Sequence, residues 1–219
     1  ELHRSTPCIL VHGGGQAINR LQERLGIQPI YDHGQRVTDP ATLEVAEMML
    51  SGLVNKQLTL ALLQAGVDAL GMSGVDRGLL QVVPWSEHMG LVGRIVHVRT
   101  DVLMDLCGQG IVPVISPISM GAQGRYNVNA DHAASAIAAA LHADYATFVT
   151  NVPGVQVGAD VVPSLSVAQA QDLIAQGIIT GGMIPKVTAA LEAVAQGVKK
   201  AMITDLPGLA AGTGTVFVA

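Results

Sequence analysis

The residues best suited to chemistry in this sequence are glycines that stand beside a rare cation. The chain of 219 residues has only 12 lysines and arginines. One of them, Lys186, ends the segment 180–186, which reads TGGMIPK. A glycine-rich turn that runs into a helix points backbone N–H groups at an anion, and the positive end of the helix dipole favours negative charge there. Because the lysine adds a mobile positive charge, this segment indicates phosphate chemistry.

A second glycine-rich turn, Gly13-Gly14-Gly15, follows the apolar run 8–11. Three consecutive glycines exceed what a tight strand–helix turn needs, which favours close approach of the backbone to a ligand. The chain has no Walker A motif, and Ile18 occupies the position of the third glycine of a dinucleotide fingerprint. The alternative is a purely structural turn, and His12 before it is expected to donate only a structural hydrogen bond.

Arg36 lies in the segment 34–39, GQRVTD, between a glycine and a helix start. An arginine fork can hold a carboxylate with two hydrogen bonds. A surface salt bridge is an equally good interpretation of this motif alone.

The segment 126–131, YNVNAD, precedes an alanine-rich helix. Asn127 or Asn129 could be a plain N-cap, and Asp131 could complement the helix dipole. The functional alternative gives Asp131 a cationic partner, a lysine at a phosphate-binding turn, which the carboxylate would hold in place.

The remaining composition excludes several classes of function. The seven histidines lack HxH or HExxH spacing, and Cys8 and Cys107 form no CxxC, so no protein-bound metal is predicted. A net charge of −5 and a pI near 5.7 argue against nucleic-acid binding. No apolar run approaches the ~20 residues of a membrane span and no signal peptide is visible, so a cytoplasmic protein is predicted.

Strands alternate with helices along the chain, and 49% of the residues are hydrophobic but only 3% aromatic. This pattern predicts an α/β fold with a mostly parallel sheet and right-handed crossovers. Predicted helices include 16–25, 40–50, 53–64 after an interruption at Gly52, 130–141, and one opened by Pro185 or Lys186 and running to 195. The segment 27–37 predicts a hairpin or a β-loop. In the helix 16–25, Asn19 and Gln22 are expected on the outer face.

We predict one structural domain in two parts. Residues 1–150 would bind an acidic substrate and form a dimer contact, and residues 151–219 would belong to the nucleotide-binding lobe. A soft boundary is expected at 151–165. The methionine and leucine stripe between Leu43 and Leu63 would serve as core or as a subunit interface.

Six motifs in this order resemble the amino-acid kinase family, and the resemblance extends over residues 8–218. They are the segments 11–15, 34–39, 53–56, 90–94, 127–131 and 181–186. The resemblance implies a three-layer αβα sandwich with an open, mostly parallel sheet of about eight strands. It is closest to the members that use ATP to phosphorylate the side-chain carboxylate of N-acetyl-L-glutamate, which implies an acyl phosphate product, arginine biosynthesis and a homodimer.

The resemblance also assigns roles to particular residues. It implies that Gly14 and Gly15 meet the transferring phosphoryl group, and that Arg36 and Asn127 bind the acid. Asp131 would act as organiser and Lys186 would contact the phosphates. ATP, with Mg²⁺ bound through it, would be held by Asn151, Gly154, Gly181, Gly182, Met183 and Lys186.

The chain departs from the family pattern in two places. The family begins with a strand that carries Lys-x-Gly-Gly, and nothing before Cys8 matches it. We expect truncation to have removed that strand and its helix, on the order of 30 residues. Asn151 also stands where the family often has aspartate.

Two other functions remain open from the sequence. One is a kinase for N-acetyl-aminoadipate, an acid longer by one methylene, in lysine biosynthesis. The other is a catalytically silent amino-acid sensor with the same fold. A dehydrogenase is disfavoured by the missing third glycine.

Overall fold

The computed structural model describes residues 6–158 and 160–218. The chain forms two compact units, an N-terminal unit that ends at Ala133 and a C-terminal unit that begins at Ala134. The change of unit thus falls before the region 151–165, where the sequence predicts a soft boundary. The predicted division of labour between the two lobes stays a prediction.

The N-terminal unit alternates strands and helices along the chain. Its elements are β1 Leu10–Val11, α1 Gly15–Arg24, β2 Tyr31–Asp32, β3 Gln35–Arg36, α2 Pro40–Glu47, a π-helical stretch Met48–Val54, α3 Asn55–Gln64, β4 Ala69–Gly74, β5 Leu80–Pro84, β6 Gly93–Val98, α4 Thr100–Gly108, β7 Val112–Gly121, β8 Gly124–Asn127 and the start of α5 Ala130–Ala140. Short 3₁₀ turns lie at Asp76–Gly78 and Glu87–Met89.

Strand β7 is the centre of a six-stranded sheet in this unit. It pairs in parallel with β1, β4 and β5 and antiparallel with β8, and β6 pairs antiparallel with β5. Eight consecutive residues of β7, from Val112 to Ser119, are buried, as expected for a strand covered on both faces. The central strand therefore fixes where β1 ends and where the first glycine-rich turn begins.

The core beside this turn is aliphatic. It contains Ile18 of α1, Leu43, Val45 and Ala46 of α2, and Leu50 of the π-helical stretch, together with Ile118 of β7. The helix does not break at Gly52 as predicted but continues in π-helical form. A glycine inside a helix costs only about 1 kcal/mol, and burial of the neighbouring Leu50 opposes that cost.

The C-terminal unit is built in the same manner. Its elements are β9 Tyr145–Val149, β10 Gln156–Val157, β11 Asp160–Val161, β12 Ser164–Ser166, α6 Val167–Ala175, α7 Met183–Ala195, β13 Lys200–Thr204, α8 Leu206–Ala211 and β14 Thr215–Val218. Four strands form a sheet in the order β12-β14-β13-β9. Alanines 189, 190 and 193 of α7 are fully buried, and their small size lets the helix lie close to the sheet.

The predicted class, α/β with a mostly parallel sheet and helices, is confirmed, because five of the eight strand pairings in the two main sheets are parallel. The predicted count of about eight strands differs from the six and four found in the two main sheets. The short strands β8, β10, β11 and β12 have only two to four residues each, which is too short for the alternation that predicts a strand. In the described part of the chain, no helix is both long and apolar enough to cross a membrane.

Candidate functional site

The first glycine-rich turn joins the carboxyl end of β1 to α1. The N–H of His12 still donates to the Ile115 carbonyl at 3.1 Å, which continues the pairing of β1 with β7. Gly14 is the N-cap of α1, and no side chain caps the helix. Within residues 6–158 and 160–218, no hydrogen bond occupies the N–H groups of Gly14, Gly15 or Gln16. The turn therefore presents backbone donors at the positive end of a helix, an arrangement that suits an anion.

The packing of this turn favours glycine at one of its positions. A Cβ on Gly14 would lie 2.8 Å from Leu50 Cδ2 and 3.3 Å from Val54 Cγ2. A Cβ on Gly15 would meet no described atom within 4 Å apart from its chain neighbours. The backbone of Gly14 is thus pressed against the π-helical stretch, whereas Gly15 faces open space.

Arg36 is buried beside this turn. Its Nη1 donates to Gln22 Oε1 at 2.5 Å, and its Nη2 donates to Asn19 Oδ1 at 2.6 Å and to the Gly15 carbonyl at 3.3 Å. The Tyr31 hydroxyl accepts from Nη2 at 2.6 Å, and the guanidinium lies 4.8 Å from the Tyr31 ring centroid. These contacts place the Arg36 fork next to the carboxyl side of the glycine turn.

All of these partners of Arg36 are neutral. No aspartate or glutamate among the described residues forms an ion pair with it. Burial lowers the pKa of the Arg36 guanidinium, yet arginine keeps its charge in proteins. A buried cation without a carboxylate partner is expected to bind an anionic ligand. The alternative of a surface salt bridge is therefore wrong for Arg36.

Asn127 ends β8 and is tied to the same region. Its Nδ2 donates to Thr38 Oγ1 at 3.1 Å, and the Thr38 hydroxyl donates to the Arg36 carbonyl at 3.0 Å. The N–H of Asn127 donates to the Leu91 carbonyl at 2.9 Å. Gly14, Gly15, Arg36 and Asn127 thus belong to one neighbourhood of the N-terminal unit.

The capping role left open in the sequence belongs to Asn129. Its Oδ1 accepts from the N–H groups of Asp131 at 2.8 Å and His132 at 3.3 Å, which caps α5. Asn127 is therefore not the N-cap. Asp131 is half-buried in the first turn of α5, and its role as organiser stays a prediction.

In the C-terminal unit, the predicted residues Asn151 and Gly154 follow β9. Asn151 is exposed and its Oδ1 accepts from the Thr150 hydroxyl at 3.2 Å. A Cβ on Gly154 would lie 2.6 Å from Thr215 Oγ1 and 2.8 Å from Val161 Cγ1. Packing alone accounts for this glycine, and the nucleotide contacts of both residues stay predictions.

The second glycine-rich turn starts α7. Gly181 has φ +54°, a conformation that favours glycine, and Gly182 is the N-cap. The N–H groups of Met183 and Ile184 donate to the carbonyls of Thr180 and Gly181, both at 3.2 Å. The helix therefore begins at Met183, and the prediction that Pro185 or Lys186 opens it is wrong. Proline is tolerated in a first helical turn because its missing N–H is not needed there.

Sequence reasoning missed four polar side chains of the N-terminal unit. Gln22 is fully buried rather than on the outer face of α1, since it bridges Arg36 and Thr42 Oγ1 at 3.1 Å. Asn19 and Tyr31 hold Arg36 directly. Asn55, at the start of α3, contacts His12. The spacing of Asn19 and Gln22, three residues apart on one helix face, could have indicated the first pair of contacts.

Comparison with known proteins gives the same picture over nearly the whole chain. The chain is 54% identical over 214 residues to a protein of Roseiflexus castenholzii named acetylglutamate kinase, covering 96% of this chain and 82% of the relative. It is 45% identical over 216 residues to a Chloroflexus aurantiacus protein of the same name, covering 96% and 85%. The crystal structure of smu.665 from Streptococcus mutans UA159 superposes with a TM-score of 0.91 at 31% identity, covering 99% of this chain and 87% of that chain.

The family model of the amino acid kinase family matches residues 1–205. That span includes both glycine-rich turns as well as Arg36, Asn127 and Asp131. The chain belongs to the amino acid kinase family.

Proposed function

We propose that this protein is an acetylglutamate kinase. It transfers the γ-phosphoryl group of ATP to the side-chain carboxylate of N-acetyl-L-glutamate, which gives an acyl phosphate and ADP for arginine biosynthesis. The observation that carries the proposal is the 54% identity, across 96% of the chain, to a relative of that name.

The chemistry of this reaction suits the groups of the site. A glutamate side chain has a reference pKa of about 4.3, so the acceptor is already ionised at neutral pH and needs no general base. The enzyme must bring two anions together and neutralise the charge on the moving phosphoryl group. Backbone N–H donors at Gly14 and Gly15 and a buried guanidinium at Arg36 supply positive potential without a proton transfer.

Each predicted residue takes a part in this scheme. Arg36 holds the carboxylate of N-acetyl-L-glutamate that does not react, since pairing the reacting one would quench its nucleophilicity. Asn127 adds a hydrogen bond to N-acetyl-L-glutamate, and Asp131 acts as organiser of the site. Lys186 neutralises the phosphates of ATP. The nucleotide is further held by Asn151, Gly154, Gly181, Gly182 and Met183.

Mg²⁺ is proposed as a companion of the nucleotide. Among the described residues, no group of three or more His, Cys, Asp or Glu side chains could hold a metal ion. The ion would therefore arrive with the nucleotide, because Mg²⁺ keeps several waters and binds readily through substrate phosphates. When bound, the ion supplies further charge neutralisation.

The test is ADP formation by the full-length protein with ATP, Mg²⁺ and each candidate acid. We expect turnover that depends on N-acetyl-L-glutamate, with kcat/KM about 10–200-fold lower for N-acetyl-aminoadipate, the usual discrimination of one methylene. A reversed preference would point to the lysine pathway instead. A rise in unfolding temperature with either acid but no ADP release would identify a sensor.

Substitution of Arg36 tests its part in the scheme. Arg36→Lys keeps the charge but loses the bidentate hydrogen bonding of the guanidinium. Hydrogen bonds to charged groups contribute about 1.5–3 kcal/mol, so we expect KM for N-acetyl-L-glutamate to rise about 10–100-fold with KM for ATP unchanged. Arg99→Lys, at an exposed ion pair with Asp101, is the matched control. An unchanged KM for the acid in Arg36→Lys would remove this residue from the substrate site.

We further propose a homodimer that acts in the cytoplasm, where ATP is present. The stripe between Leu43 and Leu63 divides in the structure, because Leu43 and Leu50 are buried, whereas Met48, Leu53, Leu60 and Leu63 are 46–55% exposed. Large exposed apolar side chains that recur along one helical segment are typical of an interface. Leu60→Glu is expected to give monomers by sedimentation, whereas Met104→Glu, on α4, is the control. A Leu60→Glu protein that stays dimeric would exclude this face.

A further inference from the structure

Two polar side chains lie buried beneath the first glycine-rich turn, and the proposed reaction leaves them without a role. His12 is 7% exposed and Asn55 is 1% exposed. Polar groups this deeply buried are expected to be hydrogen-bonded for a structural or functional reason. Their partners identify the reason.

The hydrogen bonds allow only one protonation state of His12. Its Nδ1 lies 3.0 Å from the Gly13 carbonyl oxygen, which can only accept. Its Nε2 lies 3.1 Å from Asn55 Nδ2, which can only donate. The imidazole is therefore neutral, with the proton on Nδ1. Burial, which lowers the pKa of His12, favours the same neutral form.

Asn55 cannot turn its amide round to suit a different tautomer. The two hydrogens of its Nδ2 are shared among three acceptors, because this atom also donates to the carbonyls of Val114 at 2.8 Å and Met72 at 3.3 Å, on the neighbouring strands β7 and β4. Its Oδ1 accepts from Lys56 Nζ at 3.1 Å. A reversed amide would set oxygen against two carbonyls and NH₂ against an ammonium group. The carbonyls of the sheet thus fix the orientation of the Asn55 amide, and that orientation fixes the tautomer of His12.

Gly71 makes room for this network. A Cβ on Gly71 would lie 2.2 Å from Asn55 Oδ1 and 3.0 Å from Lys56 Nζ. The Gly71 carbonyl also accepts from Lys56 Nζ at 3.0 Å. A side chain at this position of β4 would therefore displace Asn55 from His12.

The hydrogen bond from His12 Nδ1 to the Gly13 carbonyl sets the direction of the Gly14 N–H, because both groups belong to the same peptide unit. The carbonyl of Gly13 and the N–H of Gly14 belong to one planar unit, and in a trans peptide they point in opposite directions. The described residues contain no cis peptide bond. When the His12 Nδ1–H holds the carbonyl, the Gly14 N–H must point away from the buried ring. Within the described residues this N–H has no protein partner.

We propose that His12 is a positioning residue for phosphoryl transfer: its Nδ1–H, held in that tautomer by Asn55, fixes the peptide that presents the Gly14 N–H to the phosphoryl group. The inference rests on the proposed kinase activity. His12 does not touch the reacting atoms and exchanges no proton with them. It acts by keeping one backbone donor in the direction that the transition state requires.

Two substitutions separate positioning from simple packing. In His12→Asn the side-chain amide can occupy the place of Nδ1 and donate to Gly13. In His12→Gln the amide reaches the place of Nε2, so it satisfies Asn55 but leaves Gly13 unheld. Gln is also closer to His in size, so a packing role favours Gln and a positioning role favours Asn.

Steady-state kinetics of both variants give the first readout. We expect His12→Gln to lose about 10–100-fold in kcat, less than the ~10²–10³ for loss of a whole oxyanion donor, with little change in either KM. His12→Asn is expected to stay within about threefold of the wild-type kcat, because it keeps the donor. His97→Gln, at an exposed position of β6, is the control. A wild-type kcat in His12→Gln, or a greater loss in His12→Asn, overturns the proposal.

The second readout is independent of activity. The ¹⁵N resonances of the His12 ring, assigned by their disappearance in His12→Gln, report the tautomer. We expect the neutral Nδ1–H form at about pH 7–8 in the protein without substrates. The Nε2–H form, or a charged ring, overturns the proposal. If the wild-type protein releases no ADP in response to N-acetyl-L-glutamate, the kinase function is refuted. If the wild type is active and His12→Gln is equally active, only the positioning role is refuted.

Discussion

The two glycine-rich turns differ in the source of their positive potential. At Gly13-Gly14-Gly15 the backbone is the source, because the N–H groups of Gly14, Gly15 and Gln16 have no hydrogen-bond partner in the described parts of the chain. At the start of α7 the N–H groups of Met183 and Ile184 donate to carbonyls of the turn. Pro185, the third residue of α7, has no N–H to offer.

The difference shows that the same signature, a glycine run before a helix, can give either a turn with unpaired N–H groups or a turn that uses its N–H groups internally. A glycine run before a helix exposes N–H groups only where the turn does not use them itself. We expect the first turn to act through its backbone N–H groups and to depend on its glycines. We expect the second turn to work mainly through the side chain of Lys186, which its glycines place in the first turn of α7.

The largest expected effect is therefore that of Lys186→Ala. Loss of one charge-stabilising donor costs about 2.7–4 kcal/mol in the barrier, so kcat should fall about 10²–10³-fold while circular dichroism and the unfolding midpoint stay near wild type. Lys199→Ala, which removes an exposed lysine paired with Asp144 at 2.5 Å, is the control. Unaltered turnover in Lys186→Ala would take this side chain out of the mechanism.

The next effect compares one glycine from each turn. In Gly14→Ala the new methyl group would lie 2.8 Å from Leu50 Cδ2, and overpacking of this kind costs about 1–3 kcal/mol. Gly182→Ala adds a methyl group with no described atom within 4 Å, at a helical backbone conformation, so its stability should stay near wild type. Urea unfolding measures the stability of the two variants, and steady-state kinetics measure their kcat. Equal losses in the two variants would erase the distinction between the turns.

The smallest expected effect is a pH dependence of stability from His12. Burial lowers its pKa from 6.5 in the folded protein. As the pH falls below about 6.5, the unfolded chain takes up a proton that the folded chain does not, so stability falls. Above that pH both states are neutral and His12 contributes nothing.

Urea unfolding between about pH 5 and pH 8 measures this effect. The free energy of unfolding of the wild-type protein should drop more steeply towards low pH than that of His12→Gln. Parallel pH profiles for the two proteins would show that His12 titrates normally in the folded state.

Much of the N-terminal site could be read from local sequence. Gly13-Gly14-Gly15 after an apolar run predicts a turn that meets a ligand, and Arg36 between a glycine and a helix start predicts an anion contact. Local signals of this kind depend on residue type and short spacing, which the sequence contains directly. The alternation of strands and helices likewise predicts the α/β class.

Other features depend on distant parts of the chain. The sequence predicts Gln22 on the outer face of α1 because helical periodicity depends only on the spacing of apolar residues, yet Arg36 and Thr42 bury it. Asn129 rather than Asn127 caps α5, since Asn127 is drawn to Thr38 by a hydrogen bond across 89 residues. Periodicity and capping rules contain no information about such partners.

The sequence by itself determined the fold class, the two glycine-rich turns and the lysine beside the second of them, because hydrophobic period and glycine content act locally. Only the tertiary structure decided which backbone donors stay unpaired, which tautomer His12 adopts and which arginine lies buried without a carboxylate. These depend on carbonyls and side chains that meet across the sheet, where a hydrogen-bond partner is chosen by position in space and not by distance along the chain.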